Sequence, residues 1–110
     1  MHEKSKVLEW MNSEYVIKVP ETPDEMIDEA EQQQNCLRSY IQRVANGETK
    51  VVFLRKKKNP DISCVTIQVE NNGKIIQVRG KRNRVANNNE IKTISKWAKD
   101  RNLDFSYGLL

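Results

Sequence analysis

The chain has 110 residues, of which 37% are hydrophobic and 31% are charged, and its formal net charge is +4. No apolar run approaches the about 18 residues that a membrane span needs, and the charged N-terminus lacks the apolar stretch of a secretory signal. We therefore expect a cytoplasmic protein with no membrane partner. The length predicts a single domain over 1–110, with an N-terminal arm over 1–20 and a core over 21–103.

The charge is distributed unevenly along the chain. Residues 1–34 hold nine acidic and three basic residues, whereas residues 35–110 hold six acidic and sixteen basic ones. An acidic front and a basic body favour either an intramolecular pairing or an anionic partner for the body, with nucleic acid as the first candidate. The alternative is a solvated basic surface that binds nothing anionic.

Local patterns in the first half of the chain predict short elements. Residues 7–11 form an apolar patch that we interpret as one helical turn, and residues 15–19 predict a short edge strand. Thr22 is a good N-cap for a helix over 23–45, since a proline and two acidic residues follow it. A polar stretch inside this helix predicts a break near Asn35.

The middle of the chain contains β-branched and aromatic runs that predict three strands. They cover residues 50–56, 62–70 and 74–79, with a proline-containing turn over 57–61. Asn72-Gly73 joins the last two strands and is typical of a type I′ hairpin turn, which needs positive φ at both central positions. These strands form an antiparallel meander, to which the earlier edge strand is a candidate fourth member.

The Asn72-Gly73 turn predicts a register for this hairpin, because the turn type sets which residues face each other. One face carries the apolar pairs Val69 with Ile76 and Ile67 with Val78, together with Val65 opposite Gly80. The other face carries the polar pairs Gln68 with Gln77 and Thr66 with Arg79. The hairpin therefore separates a core face from a polar face.

The last part of the chain predicts a basic loop and a helix. Residues 80–89 are rich in Arg, Lys and Asn, and Asn89 is a candidate N-cap for a helix over 90–101. Its apolar stripe suits packing on the sheet. The predicted fold is α+β, a three- to four-stranded antiparallel meander with helices packed on one face.

Few side chains could carry catalysis or bind a metal. The single histidine is His2, and Cys36 and Cys64 lie too far apart in sequence for zinc-ligand spacing, so we expect no metal site and no cofactor. Cys36 could be a thiolate at a helix N-terminus, but a small core residue is the favoured interpretation. We predict no catalytic residues. An enzyme whose pocket gathers Cys36, Tyr40, Arg55 and Gln77 remains a second alternative.

Basic and polar side chains give a more specific hypothesis. The proposed phosphate contacts and polar contacts to nucleic acid or another partner are Arg55, Lys57, Lys58, Thr66, Gln68, Gln77, Arg79, Lys81, Arg82, Asn83 and Arg84. A possible pocket comprises Asn35, Cys36 and Tyr40. The alternatives are a charged rim that keeps sheet edges from pairing and an ordinary solvent-facing sheet surface.

A set of short motifs in a fixed order resembles the PcfJ-like family of conjugative plasmids and phages. The motifs are Asn35-Cys36-Leu37 with Tyr40, Gly47, Val52-Phe53-Leu54-Arg55, Pro60, Val65-Thr66-Ile67-Gln68-Val69, Ile76-Gln77, Gly80, Asn83 and Trp97. They lie within residues 21–100. Family members often have His and Glu at the positions that Asn35 and Gln68 occupy in this chain, which argues against an acid–base device here.

The resemblance implies accessory work in DNA transfer or mobile-element biology and supplies no reaction. Our leading hypothesis is a non-enzymatic binding module that engages nucleic acid or a nucleoprotein complex through a basic face. The main alternative is a small phage-type protein that binds and inhibits a host defence protein. The sequence leaves the oligomeric state open.

Overall fold

A computed structural model describes residues 5–34 and 37–105. The strands are β1 (Trp10–Met11), β2 (Tyr15–Lys18), β3 (Lys50–Lys56), β4 (Asn59–Val69) and β5 (Ile75–Arg79). The helices are α1 (Pro23–Gln33), α2 (Ile41–Ala45) and α3 (Asn88–Asp100), and short 3₁₀ segments cover Lys6–Leu8, Leu37–Tyr40 and Lys81–Asn83.

The strands form one antiparallel meander in the order β1-β2-β3-β4-β5. This confirms the predicted α+β fold, with five strands rather than three or four. The additional strand is β1, at the end of the patch at 7–11 that we interpreted as a helical turn. The start of that patch does form a helical turn, the 3₁₀ segment Lys6–Leu8. β1 pairs with β2, so β2 lies inside the sheet and not at its edge.

Helices cover both faces of the sheet, whereas the sequence placed them all on one. Successive side chains of a strand point to opposite faces, and β3 contributes Val52 and Leu54 to one apolar cluster but Val51 and Phe53 to another. The first cluster packs against α3 and the second against α1 and α2. The face that looked polar in the hairpin alone gains these apolar β3 side chains, and α1 therefore packs on it.

The helix boundaries follow local capping signals. The Thr22 hydroxyl accepts a hydrogen bond from the Glu25 backbone N–H at 3.4 Å, which confirms Thr22 as the N-cap of α1. α1 ends at Gln33, and its C-cap residue Gln34 adopts the left-handed conformation (φ 53°), so the predicted break near Asn35 is confirmed. The proposed capping role of Asn35 lies outside the described residues.

α3 begins two residues earlier than predicted. Its N-cap is Asn87, whose side chain accepts a hydrogen bond from the Glu90 N–H at 2.9 Å. The Glu90 carboxylate in turn accepts from the Asn87 N–H at 2.9 Å, which completes a capping box. Asn89 was the wrong choice among three consecutive asparagines, because only Asn87 stands three residues before a glutamate.

The hairpin between β4 and β5 has a longer loop than predicted. Gly73 has a positive φ of 87° but Asn72 does not, so the turn is not type I′. The Glu70 N–H donates to the Lys74 carbonyl, which closes a loop of three residues. A bulge between Gln68 and Val69 follows, and Val69 pairs with Ile75 instead of Ile76.

Beyond this bulge, the predicted hairpin register is confirmed. Thr66 pairs with Arg79, Ile67 with Val78, and Gln68 with Gln77. The bulge absorbs the error of one residue that the turn introduces.

The turn between β3 and β4 is shorter than the predicted 57–61. Only Lys57 and Lys58 lie between the two strands, and Pro60 belongs to β4. A proline is tolerated there because it is the second residue of the strand, where the β3–β4 pairing is irregular.

Candidate functional site

A small cavity of about 50 Å³ opens on the α1 side of the sheet. We call it the polar cavity. Its lining residues come from β3, β4, β5 and two 3₁₀ segments, and they are Leu37, Tyr40, Val51, Thr66, Gln68, Gln77, Arg79 and Asn83. Four of the residues predicted for the polar sheet face, from Thr66 to Arg79, therefore line one cavity.

The strand register explains why the lining residues from β3, β4 and β5 lie together at the base of the cavity. Gln68 pairs with both Val51 and Gln77, so these three residues form one row across the sheet. Thr66 pairs with Arg79 and forms the next row on the same face. The cavity is thus a direct consequence of the hairpin register.

A buried ion pair lies beside the polar cavity. The Glu29 side chain is fully buried and accepts hydrogen bonds from Arg55 Nη2 at 2.8 Å and from the Thr66 hydroxyl at 2.6 Å. Burial raises the pKa of Glu29, although the bonds from Thr66 and Arg55 act in the opposite direction. Thr66 therefore belongs both to the cavity floor and to the contact that fixes α1 on the sheet.

Arg55 is not available for the phosphate contact that its sequence position suggested. Its side chain is buried, and besides Glu29 it donates to the Pro60 carbonyl at 2.9 Å. A side chain enclosed in this way is a structural partner of α1. The sequence could not show this, because Glu29 lies twenty-six residues away.

Two glutamines of α1 strengthen the same contact with β4. The Gln33 amide donates to the Ser63 hydroxyl, and the Ser63 N–H donates to Gln32 Oε1 at 2.7 Å. The other atom of the Gln33 amide, Oε1, is buried without a partner among the described residues. The polar tract that suggested a break in the helix thus serves to attach α1 to the sheet.

The side chains of the two glutamines that line the cavity differ in how firmly hydrogen bonds hold them. Gln68 is buried, and its Nε2 donates to the Thr49 hydroxyl at 3.0 Å, which in turn donates to Glu70 Oε2 at 3.0 Å. Gln77 is half-buried, and its side chain makes no hydrogen bond to the residues that the structure describes. Gln68 is therefore held in one orientation, whereas the Gln77 amide can turn toward a ligand.

The segment at residues 80–84, which we call the basic loop, follows β5 directly. It is closed by hydrogen bonds from the Gly80 N–H to the Arg84 carbonyl at 2.8 Å and from the Asn83 N–H to the Gly80 carbonyl at 3.0 Å. Lys81, Arg82 and Asn83 are exposed on it. Arg82 and Asn83 both have positive φ (55° and 64°), so the loop has a defined and unusual shape.

Arg84 clamps this loop to the body. Its two terminal nitrogens donate to the two carboxylate oxygens of Glu90, at 2.9 and 3.0 Å, and Nη2 also donates to the Cys64 carbonyl at 3.0 Å. This bidentate pairing raises the pKa of Arg84. The guanidinium that we predicted as a phosphate contact is therefore engaged in holding the loop against β4 and α3.

Gly80 makes this clamp possible. A Cβ atom at Gly80 would lie 2.5 Å from Arg84 Cζ and 2.7 Å from Arg84 Cγ. Those distances are far below van der Waals contact, so a larger residue would displace the Arg84 side chain. This close approach is the physical reason for a glycine at this position.

The second basic segment, Lys57 and Lys58, is exposed in the β3–β4 turn. β3 and β5 run in the same direction, so this turn and the basic loop lie toward the same end of the sheet. Along the sheet, Lys57 lies four residues beyond the row that Phe53 and Arg79 share, which is about 13 Å at ~3.3 Å per residue.

Arg79 and Arg82 are oriented by the protein itself. Arg79 is half-buried, and its Nη1 donates to the Val78 carbonyl at 2.9 Å. Arg82 Nε donates to Gln34 Oε1 at 2.6 Å, which ties the basic loop to the end of α1. The basic loop thus contacts α1, β4 and α3 around the rim of the polar cavity.

Of the predicted pocket, the structure places Tyr40 in the wall of the polar cavity, while Asn35 and Cys36 lie outside the described residues. The alternative enzyme set is only partly assembled. Tyr40 and Gln77 share the cavity, but Arg55 is enclosed with Glu29. Over the described ranges, no group of three or more His, Cys, Asp or Glu side chains could hold a metal ion.

Sequence reasoning missed Glu29 and Glu90, which hold the site together. Glu90 had a detectable signal, because the spacing of Asn87 and Glu90 is that of a capping box. Glu29 had none beyond its place in an acidic helix. We also find no helix, in the part of the chain that is described, long and apolar enough to cross a membrane.

The fold and the site define a small α+β protein with a polar cavity and a clamped basic loop at its rim. The family model of the PcfJ-like proteins matches residues 1–95. The chain belongs to the PcfJ-like family, as the motif order had suggested.

The chain is similar in sequence to the uncharacterized protein Lin1253/Lin1744 of Listeria innocua. It is 30% identical over 98 residues, which cover 87% of this chain and 21% of that protein. The chain thus spans about a fifth of the length of the curated relative that it matches. No solved structure matches the chain.

Proposed function

We propose that this PcfJ-like chain is a non-enzymatic module of a mobile genetic element, and that it binds nucleic acid through the basic loop. The observation that carries the proposal is the exposure of Lys81 and Arg82 on a loop that the Arg84–Glu90 pair fixes beside a polar cavity. Fixed cations at a recess suit a phosphate backbone, which needs several positive contacts at defined spacing.

The charge of the chain supports the same ligand. Residues 35–110 carry sixteen of the nineteen basic residues, and Lys81 and Arg82 are exposed near the cavity. Lys57 and Lys58 offer a second contact toward the same end of the sheet. A nucleic-acid strand that crosses this end of the sheet would contact both the basic loop and the Lys57-Lys58 turn.

The conformation of the basic loop argues against a merely solvated rim. Left-handed backbone costs about 1–2 kcal/mol for most residues other than glycine and asparagine, and Arg82 adopts it in this loop, followed by Asn83. Such strain persists where the surrounding structure fixes it, and it is concentrated at functional sites. A rim that only keeps sheet edges apart would need charge but no fixed loop shape.

The mobile-element context comes from the resemblance of the motifs to PcfJ-like proteins of plasmids and phages. Within that context we propose accessory work in DNA transfer, in which this chain contacts a nucleic acid or a nucleoprotein complex. The buried positions of Arg55 and the engagement of Arg84 leave the exposed set Lys57, Lys58, Lys81 and Arg82 as the phosphate contacts.

The test is a fluorescence anisotropy titration with labelled DNA and RNA at two salt concentrations. We expect affinity to fall with salt, and the double variant K81Q/R82Q to lower the slope of log K against log salt by about 0.7 per lost phosphate contact on a single strand. The matched control is K92Q/K99Q, which removes two exposed lysines from α3 on the other side of the sheet.

Three outcomes would contradict the proposal: no binding at low salt, binding without salt dependence, or equal losses in the two double variants. A pull-down from host lysate after nuclease treatment addresses the alternative function. A stoichiometric protein partner that survives the nuclease would favour the inhibitor of a host protein.

A further inference from the structure

We propose that the polar cavity accepts the edge of one unpaired base, so that the ligand of this module is single-stranded nucleic acid. The inference rests on the proposed function, because the basic loop must first hold the sugar–phosphate backbone. In addition to the phosphate contacts of the basic loop, the cavity would contact one base, and the module would prefer single strands to duplexes.

The shape of the site favours an unpaired base over a duplex. Base edges in a duplex lie inside its grooves, where protruding helices, ribbons or side chains read them. Here the polar groups line a recess of about 50 Å³ instead of a protrusion. A recess can receive only a base that is free of its partner, which is how proteins recognise single strands.

The volume of the cavity sets which part of a base can enter. One water needs about 10–15 Å³ of such volume, so 50 Å³ holds a small group of atoms and not a base pair. The polar edge of one base fits this description, with its ring resting at the mouth of the cavity.

The lining supplies both kinds of contact that a base requires. Tyr40 contributes an aromatic ring and Leu37 and Val51 contribute apolar walls, against which the face of a base can pack. Gln77 and Asn83 contribute amides, which can donate and accept hydrogen bonds with a base edge. Because the Gln77 amide has no hydrogen bond within the described residues, it can pair without breaking an internal contact.

The charges around the cavity suit a base next to a phosphate, because Arg79 is the charged residue among its lining residues. No carboxylate lines the cavity, and the nearest buried one, Glu29, has Arg55 and Thr66 on its two oxygens. A cationic ligand would therefore find no counter-charge in the cavity. Asn83 belongs both to the cavity wall and to the basic loop, so a phosphate on Lys81 or Arg82 brings its own base to the recess.

The experiment compares three labelled oligonucleotides at one salt concentration: a single strand, its duplex, and a strand of equal length with abasic sites. The abasic strand keeps the phosphates and lacks the bases. We expect the ordinary single strand to bind roughly tenfold more tightly than the other two, the usual size of one base–aromatic contact.

Variants locate this preference in the cavity. Gln77→Leu and Tyr40→Leu should each reduce the preference for the ordinary strand over the abasic strand, while leaving the salt dependence unchanged. Gln42→Leu is the matched control, because Gln42 is exposed on α2 and bonds only Asn46 among the described residues. Circular dichroism verifies that each variant is folded. Gln77→Leu is the safer of the two, because Tyr40→Leu also removes the contact of the Tyr40 ring with the Arg43 guanidinium, whose Cζ lies 5.4 Å from the ring centroid.

The outcomes separate this inference from the proposed function. Equal binding of duplex, abasic and ordinary strands, with the loss in K81Q/R82Q retained, would overturn the cavity as a base site and leave the basic loop as the binding surface. A strand preference that survives both cavity variants would also overturn it. Absence of binding to every oligonucleotide would remove the proposed function itself.

Discussion

The two faces of the sheet are built from the same strands but are covered in different ways. On the α3 face, side chains such as Val52, Ile67, Ile94 and Trp97 pack in a continuous apolar cluster. On the α1 face, the apolar cluster around Val51 and Phe53 is smaller and lies next to buried polar groups and the polar cavity. The alternation of a strand thus places a continuous apolar core on one face and the polar cavity on the other.

This difference teaches how a small domain keeps polar groups inside. On the α1 face, hydrogen bonds to other elements hold the Glu29–Arg55 ion pair and the amide nitrogens of Gln33 and Gln68. Buried polar groups are costly when unpaired, so the helix that covers them must supply partners as well as apolar surface. Removing apolar surface from the α3 face should therefore cost more stability than removing one polar partner from the α1 face.

Trp97→Ala should lower the free energy of unfolding by about 4 kcal/mol, because a large side chain leaves a cavity in the α3 face. Trp97 is fully buried, and its Nε1 donates to the Leu8 carbonyl at 2.8 Å. Urea denaturation measures the loss. Val85→Ala is the control, since Val85 is 73% exposed. A loss no larger than that of the control would contradict the assignment of the main core.

Glu29→Ala should cost about 3 kcal/mol, because it leaves the charge of Arg55 buried without its partner. The remaining bond from Arg55 to the Pro60 carbonyl keeps the loss below that of Trp97→Ala. The double variant Glu29→Met with Arg55→Met should cost less than Glu29→Ala alone, since apolar groups can replace a buried pair. Urea denaturation of the three variants would contradict this if the double variant were the least stable.

Gly80→Ala should cost about 2 kcal/mol, because the new Cβ displaces Arg84 from its charged hydrogen bonds with Glu90. Arg84→Ala removes the same contact by another route. A double-mutant cycle by urea denaturation should therefore show strong non-additivity, with little further loss when Gly80→Ala is added to Arg84→Ala. Additive losses would mean that Gly80 is required for a different reason.

The smallest effect is on the pH dependence of stability. Burial raises the pKa of Glu29 in the folded state, whereas the unfolded value is about 4.3. Stability from this group is therefore complete below the unfolded pKa and is lost as pH rises through the folded pKa. The stability of the native chain relative to Glu29→Gln should fall over that window, measured by urea denaturation at a series of pH values. A difference that rises with pH would show that the ion pair with Arg55 outweighs burial.

Much of the sheet could be predicted from the sequence, because its signals are local. The run of β-branched and aromatic residues at Lys50–Lys56 gave a strand with those bounds. The Asn72-Gly73 turn then gave the pairs Thr66 with Arg79 and Gln68 with Gln77, which line the polar cavity, because the bulge at Gln68 offsets the longer loop. These features depend on residues that are neighbours in the chain or across one turn.

The wrong predictions concern features that depend on contacts between residues far apart in the sequence. The same Asn-Gly dipeptide suits more than one turn, and here the Gly73 carbonyl accepts from the N–H of Asp104, which lies beyond α3. Arg55 is buried because one acidic residue of α1, Glu29, pairs with it. Helical periodicity alone does not identify which of the acidic residues of α1 makes this contact. The cover of α1 over the polar face had the same cause, since its apolar partners come from β3.

The single carboxylate of Glu90 has a consequence for motion. It caps the first turn of α3 and also holds the basic loop through Arg84. Neither element can loosen without weakening the other, so the two should open as one cooperative unit on the timescale of hydrogen exchange. The amide protons of Gly80 and Glu90, ten residues apart, would then exchange with solvent at the same free energy of opening.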